Sequence, residues 1–186
     1  MKIAIVYHSG YGHTAEQANA VARGAGLVAG AEVKLISVAE GDVPWDDLQK
    51  SDAIIFGSPT YMGSISAPFK KFMDDSSKAW FTQQWKDKIA AGFTNSASQS
   101  GDKLNTLQTL AIFAAQHSMI WVGNDLLPGN NNSKGSVEDL NRLGSSLGAM
   151  AQSNSDEGPD KGPIASDLKT AEHLGARVAG IAARFK

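Results

Sequence analysis

The sequence predicts an α/β protein, a doubly wound, five-stranded parallel sheet with helices on both faces. Two observations carry the prediction. Apolar runs without polar alternation stand at residues 2–7, 52–57 and 88–94, as strands covered on both faces require, and segments of helical periodicity lie between them. Each of these runs also opens into a loop of small and hydroxyl residues, and open α/β sheets bind ligands outside the carboxyl ends of their strands. Right-handed crossovers between parallel strands then place helices on both sides.

Taken in order, Ile3, Ala4, Ile5 and Val6 make the first strand. Ala15, Ala18, Val21, Ala22 and Ala25 form the inward stripe of a helix over 13–29 that ends at Gly30. Residues 31–38 carry Val33 and Leu35 on one face and Lys34 and Ile36 on the other, a shorter and more exposed strand. A brief helical turn over 44–50 leads to the strand at 52–57. A helix over 66–76 presents Phe69, Phe72 and Met73 to one side. After the strand at 88–94, a helix over 104–116 turns Leu107, Leu110, Ala111 and Ala114 inward. A short last strand at 119–122 and an amphipathic closing helix over 165–184 complete the alternation.

One stretch departs from it. Residues 123–164 are rich in Gly, Asn, Ser and Pro and run far longer than an ordinary connection, so they read as a surface excursion that meets a partner subunit or as a mobile lid. Residues 137–150 within it are expected to make one short helix. The whole, 1–186, is read as a single domain.

Composition narrows the function. The chain has 186 residues, 42% of them apolar, enough for one sizeable core. Its 17 basic and 19 acidic residues are scattered and leave a net charge of -2, which argues against nucleic acid or an anionic membrane as a partner. Cysteine is absent, and no His, Asp or Glu grouping has metal-ligand spacing, so no disulfide, thiolate nucleophile or metal is expected. No run approaches the length of a membrane span, and Met1-Lys2-Ile3 enters a strand at once with no room for a signal peptide; a cytoplasmic protein is the expectation.

The candidate site centres on Ser9-Gly10-Tyr11-Gly12-His13-Thr14, between the first strand and the first helix. Unpaired amide groups point outward at a helix N-terminus, glycines let a ligand approach the backbone, and the helix dipole favours an anion. The loop has two hydroxyls and neither Lys nor Arg, so neutral donors would hold a phosphate here. It matches neither G-x-x-x-x-G-K-[ST] nor a dinucleotide fingerprint, since the third glycine and the following acidic residue of the latter are missing. Two further loops, Ser58 to Ser64 and Asn95 to Gly101, end the other two buried strands on the same edge.

These motifs together resemble the flavodoxin-like flavoproteins, and among them the WrbA-type NAD(P)H:quinone oxidoreductases. The resemblance rests on Ser-x-Tyr-Gly-His at Ser9 to His13, on Ile-Ile-Phe-Gly-Ser-Pro-Thr at Ile54 to Thr60 with Gly63 behind it, on Trp80, and on His-Ser-Met at His117 to Met119. It implies the strand order 2-1-3-4-5 and the cofactor FMN. It places the FMN phosphate in Ser9, Gly10, Tyr11, Gly12, His13 and Thr14, sets Pro59, Thr60, Tyr61, Met62 and Gly63 along the isoalloxazine, and closes the other side with Thr94, Asn95, Ser96, Ala97, Ser98 and Gln99. It also implies NADH or NADPH as co-substrate, a quinone as acceptor, two-electron ping-pong chemistry and a homodimer or homotetramer. His117 matches a histidine that reaches the flavin from a neighbouring strand end or subunit, and Tyr11 matches a position associated with the nicotinamide; these are the expected catalytic residues. Trp80 matches an aromatic at the substrate pocket.

Each assignment has a structural counterpart. Trp80, beside Phe81 and near Trp85, reads equally as core or subunit contact. Tyr11 also reads as an exposed loop aromatic and His117 as a satisfied structural histidine, while His173 is expected on an exposed, solvated helix face. A flavodoxin-type one-electron carrier has the same fold and cofactor and is the alternative function. Such carriers dock through a strongly acidic face, and the near balance of charge here speaks for the enzyme.

Overall fold

The computed structural model describes residues 1–39 and 41–185. Strands β1 (Lys2–Tyr7), β2 (Glu32–Ser37), β3 (Ala53–Tyr61), β5 (Ile89–Ser96) and β6 (Ile120–Trp121) are parallel and lie in the order β2-β1-β3-β5-β6. These are the five expected strands in the expected order. Two short strands are additional: β4 (Ser64–Ile65) turns back antiparallel on the end of β3, and β7 (Ala149–Gln152) pairs in parallel with β5.

Successive residues of the central strands point to opposite faces, and both faces are covered. Ile3, Ile5, Ile55, Ala91 and Phe93 pack under helices α1 (His13–Gly26) and α6 (Ala165–Arg184). Ala4, Val6, Ile54, Phe56 and Ala90 pack under α2 (Trp45–Lys50), α3 (Ala67–Asp75), α4 (Ser77–Phe81) and α5 (Lys103–Gln116), around a cluster of Phe69, Phe72, Trp85 and Phe113. Burial on two faces is why these runs are uniformly apolar.

The strands outrun their sequence signal. Residues 58–61, expected as loop, continue β3 because Ser58 and Pro59 pair with Thr94 and Asn95 of β5 while Thr60 pairs with Ile65 of β4. Hydroxyls on this extension are paired within the protein: Thr60 Oγ1 lies 2.8 Å from Thr94 Oγ1 and 2.8 Å from Thr106 Oγ1, and the Ser58 and Ser66 hydroxyls meet at 3.2 Å. Buried polar groups with partners cost little, so a polar segment can end a central strand.

The helix expected over 137–150 does not form. Its C-terminal end is β7, and the residues before it make turns that side chains tie down. Asn141 accepts from the Ser145 amide at 2.9 Å and donates to the Leu126 carbonyl at 2.9 Å, competing with helical pairing. At Gly148 an added Cβ would stand 2.2 Å from the Gly92 carbonyl oxygen, so the chain there lies flat against β5. The last sheet position is thus shared: β6 pairs with the start of β5 at Ile89 and Ala90, the excursion leaves, and β7 returns beside Phe93 to Ser96.

Helices α1 and α6 touch backbone to backbone. A Cβ on Gly24 would sit 1.7 Å from the Glu172 carbonyl oxygen, and one on Gly175 would sit 2.0 Å from that of Val21. A backbone atom cannot swing aside as a side chain does. Gly175→Ala is therefore expected to cost about 3 kcal/mol, the upper end for overpacking, read as a lower denaturant midpoint at unchanged slope.

Candidate functional site

The carboxyl ends of β1, β3 and β5 enclose a cavity of about 380 Å³, within the range of small-ligand sites. Ser9, Tyr11, His13 and Thr14 line one end of it, Pro59, Thr60 and Tyr61 one side, and Asn95, Ser96 and Ala97 the other. The three predicted loops converge as expected. Two further lining residues, Ser153 and Ser155, come from the segment after β7.

The Ser9 loop is organised by its own hydroxyl. Ser9 Oγ accepts from the Gly12 amide at 3.1 Å and the Ala15 amide at 3.1 Å, satisfying one of the donors that α1 leaves open. Helix geometry gives the amides of His13 and Thr14 no intrahelical acceptor, so these are available to an anion. Gly12 has φ 91°, a left-handed conformation suited to glycine, and Pro159 fills the place of its missing side chain at 2.8 Å. The ring of His13 donates through Nε2 to the Glu157 carbonyl at 2.9 Å. The segment after β7 is thereby fastened over the loop, a role for His13 that its position at a helix start did not disclose.

Aromatic rings form the open rim. Tyr11 is 76% exposed, and its ring meets that of Tyr61 edge-on at 6.3 Å; Tyr61 in turn meets the buried His8 at 6.5 Å. The Tyr61 hydroxyl lies over Gly10, where a Cβ would be 2.5 Å away. Burial and the neighbouring Tyr11 raise the Tyr61 phenol above its ordinary pKa, so it remains a neutral donor. Met62 and Gly63 form the tip of the β3–β4 hairpin, with Met62 wholly exposed.

On the β5 side, the Asn95 amide and the Ser153 hydroxyl are hydrogen-bonded at 3.0 Å, joining the strand to the returning excursion. Thr94 lies beneath the cavity in the threonine network. Ser98 contributes its carbonyl to a buried ammonium, that of Lys103. Gln99 lines a different hollow, with Arg142 and Asn105.

His117 and Trp80 are not brought to this cavity within the chain. His117 follows α5 directly and precedes β6, which pairs with the first residues of β5; it therefore sits toward the amino ends of the strands, whereas the cavity is at their carboxyl ends. Its ring stacks on Trp85 at 4.2 Å and donates through Nε2 to Ser76 Oγ at 2.9 Å, the Ser76 hydroxyl being spent on the Met73 carbonyl at 2.7 Å. Trp80 and His117 share a second hollow of about 430 Å³ that has no lining residue in common with the first. His173 is not free in solvent either: its Nε2 lies 2.7 Å from Asp125 Oδ1.

The model of the NADPH-dependent FMN reductase family matches residues 1–132. The chain belongs to this family. The matched part holds all three strand-end loops of this NADPH-dependent FMN reductase family member and stops short of Ser153 and Ser155. Over 184 residues it is 46% identical to flavodoxin FldP of Pseudomonas aeruginosa, spanning 97% of this chain and 96% of that protein. It is 32% identical to an NAD(P)H dehydrogenase (quinone) of Geotalea uraniireducens, across 100% of this chain and 99% of the relative. A crystal structure of a flavodoxin, WrbA-like protein from Agrobacterium tumefaciens superposes with a TM-score of 0.76 at 43% identity, covering 100% of this chain and 99% of the other. The fold is flavodoxin-like, and the resemblance read from the motifs holds.

Sequence reasoning missed Ser153, Ser155 and Lys103. The Ser-Asn-Ser run after Ala149 to Ala151 carried a signal, a polar loop behind an apolar run like the other three. Lys103 carried none, because a lysine at a helix start reads as solvated. Burial lowers the His117 pKa from 6.5 to about 4. The unfolded chain takes up this proton between those values and the folded chain does not. His117 thus favours the folded state above pH 6.5 and opposes it progressively as pH falls toward 4. The denaturant midpoint of His117→Gln is expected to fall less over that interval than that of the wild type.

Proposed function

We propose that this protein is an FMN-dependent NAD(P)H:quinone oxidoreductase working by two-electron ping-pong transfer. The observation that carries the reading is the cavity at the strand ends: a helix N-terminus with free amides and hydroxyls at one end, and walls from the ends of β3 and β5 beneath an aromatic rim. That donor set suits a phosphate monoester joined to a planar ring. Bound FMN supplies the hydride-accepting and hydride-donating chemistry. The chain does the rest. The His13 and Thr14 amides with the Thr14 hydroxyl bind the phosphate, Ser9 holding their loop in shape. The walls at Pro59 to Tyr61 and Asn95 to Ala97 orient the ring. Tyr11, exposed at the mouth, offers a stacking face to a nicotinamide and then to a quinone, which share one position in turn.

The 32% identical relative named as an NAD(P)H dehydrogenase (quinone) supports this reading. So does the charge balance, 17 basic against 19 acidic residues, with no carboxylate side chain among the cavity's lining residues. Assembly as a homodimer or homotetramer belongs to it, since a neighbouring copy is what would carry Trp80, 46% exposed, to a cavity it does not reach in its own chain. A second reading, a one-electron carrier, is favoured by the relative named as a flavodoxin at 46% identity.

Anaerobic absorbance separates the two. With FMN-loaded protein, NADH or NADPH is expected to bleach the flavin band within seconds, and benzoquinone to restore it fully. Flavin that ignores both nicotinamides yet is reduced by dithionite would transfer the assignment to the carrier. Ser9→Ala, which leaves the Gly12 and Ala15 amides without their acceptor, is expected to weaken FMN binding about tenfold by fluorescence quenching.

A further inference from the structure

Lys103 is fully buried, and no other lysine among the described residues is. It begins α5, where the helix dipole disfavours a cation. Its ammonium donates to Ser96 Oγ at 2.8 Å and to the Ser98 carbonyl at 2.8 Å. Ser96 Oγ also donates to the Ser98 carbonyl at 2.9 Å, so Lys103 closes a small ring of bonds around the turn at 96–98, two residues of which, Ser96 and Ala97, line the strand-end cavity. Among the described residues, no carboxylate stands within ion-pair distance of Lys103. Asp167 of α6 and Arg142 of the excursion face it from further away with opposing effects, and they are spent on each other in a fork of two 2.8 Å bonds; Asp102 is its neighbour in sequence. A buried cation without a counterion costs stability, and one bonded to the wall of a ligand cavity is a candidate for function.

We infer that Lys103 is a positioning residue of the cavity, holding the Ser96 to Ser98 turn against the ring of bound FMN and supplying positive potential that draws electrons onto it. The inference rests on the reading of the cavity as an FMN site. It goes further in naming the charge that the lining lacks, one layer behind the wall. The potential arises from a group that titrates within an accessible range. Burial lowers the Lys103 pKa from 10.5 to about 8, Asp167 raising it and Arg142 lowering it. Negative charge arriving at the cavity holds the proton on Lys103 to higher pH. Over the interval from about pH 8 to the raised pKa of the reduced form, reduction therefore takes up a further fraction of a proton, and the flavin potential falls more steeply with pH there than below it.

The test is a potentiometric titration of the FMN-loaded full-length chain at several pH values from 6.5 to 10, with FMN affinity measured by fluorescence quenching. Lys103→Met is expected to weaken FMN binding about tenfold at pH 7, to lower the potential, and to lose the change of slope near pH 8. Lys103→Arg keeps a charge at every pH, so its affinity and potential at pH 7 are expected to stay near the wild type while the change of slope disappears; it also carries the test if the Met variant fails to fold. A Met variant with wild-type affinity and potential, or an Arg variant that keeps the change of slope, overturns the inference alone. A wild-type chain that does not quench FMN overturns the reading of the cavity and this inference with it.

Discussion

The contact between α1 and α6 is the constraint on which the rest of the structure depends. Two glycines, Gly24 and Gly175, bring the helix backbones together, and this closeness fixes how α1 lies across the sheet. The N-terminus of α1 is the Ser9-loop end of the cavity, so the depth of the helix pair sets where the His13 and Thr14 amides stand relative to β3 and β5. Close packing transmits such placement because an interior at crystal-like density cannot absorb a shift of an ångström.

Helix α6 also anchors the excursion. Arg177 donates to the Gly123 carbonyl at 2.9 Å and, with His173, holds Asp125 where the excursion leaves the sheet. At the other end of the helix, buried Asp167 takes the Arg142 fork and accepts from the Gln152 amide of β7 at 3.0 Å. Its carboxylate lies in the first turn of α6, where the dipole stabilises negative charge. One helix thus holds both the loop at one end of the cavity and the strand whose continuation delivers Ser153 and Ser155 to its wall.

Beneath the cavity the protein uses buried polar bonds where the upper sheet uses apolar packing. The Thr60, Thr94 and Thr106 hydroxyls, the Ser58 and Ser66 pair, and the Lys103 ring of bonds are each satisfied internally. Directional bonds give such a floor one arrangement, whereas a purely apolar floor tolerates several. In the proposed reading of the cavity, a site that keeps a flat ring in a single orientation would gain from that uniqueness.

The sequence by itself determined the strand–helix alternation, the strand order implied by its motifs, and the three loops that meet at the cavity. Those features are local: burial on two faces writes continuous apolar runs, and a strand end that binds a ligand writes glycines and hydroxyls next to them. Tertiary structure alone decided what depends on partners distant in sequence. Residues 137–150 carry enough helical pattern to suggest a helix, yet side-chain bonds from Asn141 and the flat approach of Gly148 to β5 make turns and a strand of them. His117 matches a site motif, yet it precedes β6 at the opposite edge of the sheet from the cavity, and its pairing with Ser76 and Trp85 could be seen only in the fold. Nothing in the sequence singled out Lys103, because nothing in a sequence says which lysine the folded chain will close over. Spacing along a chain records the near neighbours of a residue, and burial, hydrogen-bond partners and shifted pKa values are set by the distant ones.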